Sequence, residues 1–329
     1  MLIVVPKLNP DQTQRNVCDM SETSYGYLLP TRGLVQKGGK PDFRTILNLA
    51  ELADKSGFGS LWVGDSVLAK PRLDPMTTLA AVAAVCPKST LGMSVLLPAL
   101  RHPLVLAHAL ATLDLITAGK LLIGVGVGGP MEIYRREFAG CGIPFKQRIS
   151  RTDETVEVMK MLWSKDKVSF SGKTCNLEEV TLDPKPYTVG GPKILMSSGM
   201  VPSAFERTAK ITDGWMTAEV FPDEFKEAWV KVQALAPKKK MISSLYMTMN
   251  LNNDSSKAKS ETVDYLTKYY GSAPPLERWG PFGSPEEAVK RINQFYDAGV
   301  RIFAIRFSSH NQEEQIKWFA DAVLPRLKH

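Results

Sequence analysis

Eight apolar runs, nearly all separated by helix-patterned segments, constrain the fold of this chain more than any other feature. They occupy residues 25–30, 60–64, 90–97, 121–127, 193–197, 214–219, 241–251 and 301–307. Buried parallel strands read as continuous Val/Ile/Leu-rich stretches, and alternating them with helices predicts crossover units. Eight such units predict an α/β chain folded as a (β/α)8 TIM barrel with insertions on its C-terminal face. In that architecture the active site sits at the C-terminal ends of the strands, so the residues just beyond each run become the candidates for chemistry.

At 329 residues the chain exceeds the roughly 250 of a bare barrel. The surplus is assigned within one domain spanning 1–329. Residues 1–22 form an N-terminal extension, and 130–148, 168–192 and 252–282 are insertions. Of the residues 44% are apolar and 23% charged, enough to bury a sizeable core. The net charge of +7 permits an anionic ligand without demanding one, because the lysines are scattered apart from Lys238, Lys239 and Lys240. That run reads as a solvated loop rather than a nucleic-acid patch. Cys18, Cys86, Cys141 and Cys175 lie far apart, with neither metal-ligand spacing nor a disulfide framework, which fits a reduced, cytoplasmic protein. The leading apolar run at 2–5 is too short for a secretory segment, and no stretch approaches the roughly 18 apolar residues of a membrane span. A soluble, unprocessed chain without a membrane partner is expected.

Local signals place the connecting elements. Ile46, Leu47, Leu49, Ala50, Leu52 and Ala53 repeat at helical spacing over 42–55, and Gly57 supplies a left-handed stop. Asp74 before Pro75 reads as an N-cap with proline at the first helical position, opening a helix over 75–86. A further helix is expected over 103–117. The stretch 130–148 reads as polar and irregular. Residues 168–188 suit two short strands around a turn, with Pro184 and Pro186 excluding a helix after them. Helical patterning returns over 255–270. Ser284, Pro285, Glu286 and Glu287 make the clearest signal, an N-cap, a proline and a capping-box glutamate, with the helix stopping at Gly299. A last helix over 313–327 covers the barrel.

Gly124, Gly126 and Gly129 satisfy the spacing of a dinucleotide fingerprint, but three strand and helix units precede them and Pro130 follows. The glycines instead let the backbone approach a flat ring, or serve tight packing. Ser197, Ser198 and Gly199 follow the fifth run and precede a helix starting near Pro202 or Ser203. Small residues at a helix N-terminus suit a phosphate, and a plain turn with a serine cap is the other reading. Arg32 and Arg101, each just beyond a run, are candidate cationic contacts. Asp65 with Ser66 ends the second run, where an aspartate either bonds a ring nitrogen or neighbour or caps a turn. His102 and His108 read as structural, and His310 and His329 fall in a terminal loop and tail. Neither a metal-spaced cluster, a nucleophile elbow nor a Walker loop is present. So little protein-borne acid, base and nucleophile points to borrowed, cofactor-based reactivity.

The series Ala53, Gly57, Phe58, Ser60, Leu61, Trp62, Val63, Gly64, Asp65, then Asp74, Pro75, Thr77, Leu79, Ala80, Ala81, resembles the bacterial luciferase-like flavin-dependent oxidoreductases. So do Leu91, Gly92, Ser94, Val95, Leu96 with Arg101, His102, Pro103, and Leu122, Gly124, Val125, Gly126, Glu137, Phe138, Gly142, Pro144, Phe145, Arg148. Asp213, Gly214, Trp215 and the Ser284 box continue the match in order over about 24–328. The resemblance implies a (β/α)8 barrel binding reduced FMN or the deazaflavin coenzyme F420 at the strand C-termini. It implies that Ser94 and Val95 form a strand bulge, often a non-prolyl cis peptide, supporting the isoalloxazine ring. Gly126, Val127 and Gly128 would run along the ring edge, and Ser197, Ser198 and Gly199 would hold the phosphate. Thr217, in the sixth run, joins the cofactor-binding set.

Two departures bear on the activity. Many members carry His after the Asp, where this chain has Ser66, and F420-dependent sugar-phosphate dehydrogenases carry Glu where it has Gly129. That acid/base pair is absent. The leading expectation is therefore an FMNH2-dependent monooxygenase acting on a small organic substrate, with reduced flavin supplied by a separate flavin reductase. Asp65, Ser66 and Tyr25 are its candidate catalytic residues, the last two as hydrogen-bond donors to an oxygenated intermediate. The alternative is an F420-dependent oxidoreductase transferring hydride without oxygen. A non-catalytic binding barrel is an alternative of another class. A homodimer is expected from the resemblance alone.

Overall fold

The computed structural model describes residues 23–272 and 275–329. The assigned extension 1–22, with Cys18, lies outside them. All eight runs are strands: β1 (Ser24–Leu28), β2 (Ser60–Val63), β3 (Thr90–Leu96), β4 (Leu121–Val125), β7 (Lys193–Ser197), β8 (Gly214–Thr217), β9 (Ile242–Leu251) and β11 (Ile302–Phe307). Every neighbouring pair is parallel, in the order β1-β2-β3-β4-β7-β8-β9-β11, and β11 pairs back onto β1, so the barrel closes. The fold is the expected (β/α)8 barrel.

Alternation along the strands divides the core in two. Leu28, Trp62, Leu122, Leu195, Met216, Ile242, Ile302 and Ala304 fill the barrel interior. Their neighbours, such as Tyr27, Leu61, Val63 and Ile123, face the helical ring. Trp62 dominates the interior. A Cβ on Gly26 would lie 2.4 Å from its Nε1, and one on Gly92 2.3 Å from its Cε3, so both flanking strands carry glycine because the indole takes the space. The indole N–H is satisfied by donating to Ser60 Oγ at 2.9 Å.

The helices are α1 (Thr31–Gln36), α2 (Arg44–Lys55), α3 (Pro75–Val85), α4 (Pro103–Ile116), α5 (Glu132–Gly140), α6 (Arg148–Ser164), α7 (Pro202–Ile211), α8 (Pro222–Leu235), α9 (Ser255–Tyr270), α10 (Pro285–Asp297) and α11 (Gln312–Trp318). Asp74 caps α3 by accepting from Met76 N and Thr77 N, and Ser284 with Glu287 closes the capping box of α10. The hairpin is present as β5 (Val168–Ser171) and β6 (Asn176–Val180), antiparallel. Three features differ from expectation. The stretch 130–148 holds α5, whose buried face is only Glu137 and Phe138, too short to register as a helical period. The short strand β10 (Phe282–Gly283), at the end of the insertion at 252–282, pairs in parallel with the last residues of β9. The final helix breaks after Trp318 into a wider turn and a 3-10 turn containing Pro325. Among the described residues no helix is long and apolar enough to cross a membrane.

Candidate active site

A cavity of about 650 Å3 opens at the C-terminal ends of β2, β3, β4, β7, β8 and β9. Asp65, Ser66, Ser94, Val95, Gly126, Val127, Gly128, Ser197, Ser198, Gly199 and Thr217 all line it. A second cavity of about 640 Å3 lies outside the barrel mouth between α1, α2 and the end of α9, walled by Leu34, Ile46, Tyr265 and His310. It is reached only from the ends of β1 and β11, through Pro30 and Ser309, and holds none of the residues from β2, β3, β4, β7 and β8 that converge in the first cavity, so the barrel mouth is the candidate site.

The floor is built by β3. Its register against β4 shifts between Met93 and Leu96, and the Ser94-Val95 peptide bond is cis. The bulge is pinned from both sides: Asp65 N donates to Val95 O at 3.0 Å and Gly126 N to Leu96 O at 2.9 Å. Val95 packs over the barrel interior and against the cluster of Leu97 and Phe138. A Cβ at position 126 would meet Val95 Cγ2 at 2.7 Å, so glycine there lets β4 run close beside the bulge. Gly128 follows in the left-handed region at φ 78°.

On the far wall, Ser197, Ser198 and Gly199 lead into α7. Ser198 N donates to Met216 O at 3.2 Å and Ser198 Oγ accepts from Trp215 Nε1 at 3.1 Å, so this serine is a braced part of the turn. Gly199 faces open space: a Cβ there would have nothing within 4 Å. Arg207 reaches the same cavity from the second turn of α7, one turn beyond Ser203 and on its face. Its Nε lies 3.5 Å from Asp153 of α6, and burial pushes that carboxyl up to about 6 against the pull of Arg207. A helix N-terminus, an open glycine and a cation together make an anion cup. The sequence signal for Arg207 was its i+4 spacing from Ser203. Arg32 and Arg101, the expected cations, do not line the cavity.

The near wall was not foreseen. Lys70 and Arg72, in the loop after β2, face Tyr134, Tyr246, Tyr269, Tyr270 and Glu219. Lys70 Nζ stands 4.3 Å from the Tyr270 ring centroid and 5.4 Å from that of Tyr134. Burial pushes its ammonium down to about 8, repulsion from Arg72, Arg32 and Arg306 adds to this, and Glu219 opposes it. Behind it the buried Arg306 donates to Thr248 Oγ1 at 2.7 Å and to Tyr270 Oη at 2.8 Å. Nothing in the sequence distinguished Lys70 from the other scattered lysines.

The expected catalytic residues are otherwise engaged. Asp65 accepts from Leu97 N at 3.0 Å and from Arg101 Nη2 at 3.1 Å, so it orients a neighbour and braces the bulge. Ser66 donates to Glu137 Oε1 at 2.7 Å and accepts from Lys70 N at 2.7 Å, leaving it no proton for the cavity. Tyr25 is a correction. It lies at the start of β1, at the opposite end of the barrel, stacks on Phe303 and donates its hydroxyl to the Lys328 carbonyl. The apolar run marked a strand there, but a residue at a strand's beginning belongs to the N-terminal face. Among the described residues no cluster of His, Cys, Asp and Glu has metal-binding geometry.

Comparison with known proteins bears on these elements. A family model described as luciferase-like monooxygenase matches residues 23–278. An F420-dependent glucose-6-phosphate dehydrogenase of Amycolatopsis mediterranei is 25% identical, covering 87% of this chain and 95% of the relative. One from Nakamurella multipartita is 26% identical, covering 86% and 92%. The crystal structure of monooxygenase RslO1 from Streptomyces bottropensis superposes with a TM-score of 0.79 at 24% identity, covering 92% of this chain and 99% of that one. An F420-dependent secondary alcohol dehydrogenase, solved with an F420-acetone adduct, gives 0.77 at 22%, covering 94% and 100%. Both structures share the barrel.

Proposed function

The chain belongs to the luciferase-like monooxygenase family, and within it we propose an F420-dependent oxidoreductase that moves hydride between the deazaflavin and a small organic substrate. The observation that carries this reading is that relatives matching most of both chains are named F420-dependent dehydrogenases. The reading with reduced FMN, oxygen and a separate flavin reductase thereby yields to its alternative. Glucose 6-phosphate itself is not proposed as the substrate, because Ser66 and Gly129 stand where the acid/base pair of such dehydrogenases is expected.

The residues present fit a flat ring with an anionic tail. Val95 on the bulge would support the ring, with Gly126, Val127 and Gly128 along its edge and Thr217 on the wall. Ser197, Ser198, Gly199 and Arg207 would hold the tail's phosphate. When bound, the coenzyme supplies a two-electron hydride donor or acceptor. The chain supplies orientation, an aromatic wall that excludes water, and Lys70, whose depressed basicity suits it to hold or release a proton near neutral pH. Asp65 and Ser66 serve as positioning residues, through Arg101 and Glu137.

A cytoplasmic homodimer is part of the proposal. Cys86, Cys141 and Cys175 are unpaired thiols. Val105, Leu115 and Ile116 leave α4 with exposed apolar side chains suited to a second copy. The cofactor assignment is tested by titrating the purified protein with F420 and with FMN. Saturable quenching of deazaflavin fluorescence with no saturable FMN binding supports it. FMN binding with oxygen uptake from the reduced flavin restores the monooxygenase reading. Saturation by neither leaves a non-catalytic barrel.

A further inference from the structure

Positive charge gathers in the near wall of the cavity, at Lys70 and Arg72, and behind it, at Arg32 and Arg306, with none of the four in an ion pair among the described residues. Lys70, Arg72, Arg32 and Arg306 are close enough that each of the three arginines lowers the proton affinity of Lys70. Among the described residues no carboxylate lies within ion-pair distance of any of the four. Their hydrogen bonds run to neutral oxygens: Arg72 Nη2 to Tyr269 Oη at 3.2 Å, Arg32 Nη2 to Tyr269 O at 2.6 Å, and Arg306 to Thr248 and Tyr270. Nε and Nη1 of Arg32 are buried with no hydrogen-bond partner among the described residues, the guanidinium lying 4.5 Å from the Tyr269 ring centroid. Buried cations are normally paired, because an unpaired charge loses its hydration without replacement. Among the described residues Glu219 is the carboxylate that acts on Lys70 across the cavity, and burial raises its own proton affinity.

Lys70 and Arg72 are the members of this group that line the cavity, and Lys70 is the one with an uncommitted charged head. Among the described residues its ammonium has no hydrogen-bonded partner, and it lies beside the rings of Tyr134 and Tyr270. Its backbone is fixed. Glu137 Oε1 accepts from Val67 N at 2.6 Å, Leu68 N at 2.9 Å and Ala69 N at 3.2 Å, while Lys70 N bonds Ser66 and Lys70 O accepts from Arg72 Nε at 3.1 Å. An ammonium carried on a backbone fixed in this way, with its donors uncommitted, is prepared for an oxyanion.

We propose that the substrate is a small organic anion whose carboxylate or phosphate is bound by Lys70 and Arg72 between Tyr134 and Tyr270. The inference rests on the oxidoreductase reading and names the substrate class of that site. The coenzyme's acidic tail is a poorer occupant, because its cup at Gly199 and α7 is separated from β2 by β3 and β4 in the barrel order.

The test titrates the protein, with and without F420, using benzoate, inorganic phosphate and the uncharged benzyl alcohol, read by calorimetry. Wild type binds benzoate or phosphate saturably and benzyl alcohol not at all, the preferred anion reporting the group. In Lys70→Met the anion weakens by about ten- to a hundred-fold, as expected for losing a hydrogen bond to a charged group. Lys70→Arg retains it, and F420 affinity stays unchanged in both variants, which also shows them folded. Equal anion binding in Lys70→Met, no saturable anion binding by wild type, or loss of F420 binding in Lys70→Met each overturns the proposal. Failure of wild type to bind F420 sinks the coenzyme assignment instead, and the coenzyme-free titrations still decide the role of Lys70.

Discussion

Ser66 Oγ donates to Glu137 Oε1 at 2.7 Å, tying the loop after β2 to α5 across 71 positions of sequence. That single carboxylate oxygen also collects the amides of Val67, Leu68 and Ala69, while Oε2 is buried with no hydrogen-bond partner among the described residues. The arrangement explains how an irregular loop holds Lys70 and Arg72 at the barrel mouth without a strand or helix of its own.

Glu137→Ala is expected to leave those buried donors unpaired and to destabilise the protein by about 3 kcal/mol or more, since each orphaned donor costs about 1–3 kcal/mol. Glu137→Gln keeps a carbonyl acceptor and should lose about 1 kcal/mol. Urea unfolding of the two variants checks the order. Equal, small losses would mean that the loop is held by something else.

How far the site was legible follows from the same residues. The strands were visible because buried parallel strands are continuously apolar, and the barrel placed Asp65, Val95, Gly126 and Ser198 at one end. Tyr25 was misplaced because an apolar run does not say which of its residues faces which end. Glu137 belonged to the matching series but carried no role: in the run Arg135, Arg136, Glu137 a carboxylate reads as solvated, and only the packing of α5 buries it. Lys70 was invisible for a similar reason. Its environment is assembled by Tyr134, Tyr270 and Arg306, which are brought together only when the barrel closes and α9 folds over its mouth.

The indole of Trp62 and the glycines beside it should be energetically coupled. Gly92→Ala places a methyl 2.3 Å from the ring and so forces a shift in the barrel interior, with an expected loss of about 1–3 kcal/mol from overpacking. Trp62→Leu relieves that clash while opening a cavity of its own. The double variant should be more stable than the sum of the single losses predicts, by about 0.5–3 kcal/mol of interaction energy. Additive losses in a thermal or denaturant cycle would refute the packing argument.

Lys70 gives the site a pH signature. Burial holds its ammonium at about 8, so the free cavity carries this charge below that pH and loses it above. Arg72, Arg32 and Arg306 stay charged, Tyr134 is pushed up to about 12 and Glu219 is raised by burial. The Tyr269 hydroxyl, opposed by its burial but drawn down by Arg72, Arg306 and Arg32, also shifts toward this window, so the Lys70→Arg control isolates the part that belongs to Lys70. Benzoate or phosphate binding should therefore weaken as pH rises through about 8 and beyond, because the bound anion itself favours the protonated amine. In Lys70→Arg the part of the weakening that belongs to Lys70 should be absent. Because the folded value is depressed, the unfolded chain binds the extra proton above pH 8, and this group's contribution makes stability rise from there toward the ordinary lysine range. A flat binding profile in wild type would contradict the assignment.

Arg207 should act on the opposite wall and on a different ligand. Arg207→Ala removes the cation from the cup at Gly199, and F420 affinity is expected to fall by about ten- to a hundred-fold with benzoate binding unchanged, the converse of Lys70→Met. It also strips Asp153 of its ion pair. Burial already holds that carboxyl at about 6, so the folded state prefers it protonated, and its contribution to stability falls as pH rises from the ordinary aspartate range to about 6. Without Arg207 that value climbs further and the decline extends toward neutral pH. Unfolding curves between pH 5 and 8, at roughly the range where the aspartate titrates, should show wild type flattening before the variant does. If both proteins follow one curve, the pair contributes nothing to the fold. If F420 binding survives the substitution, the tail is held elsewhere.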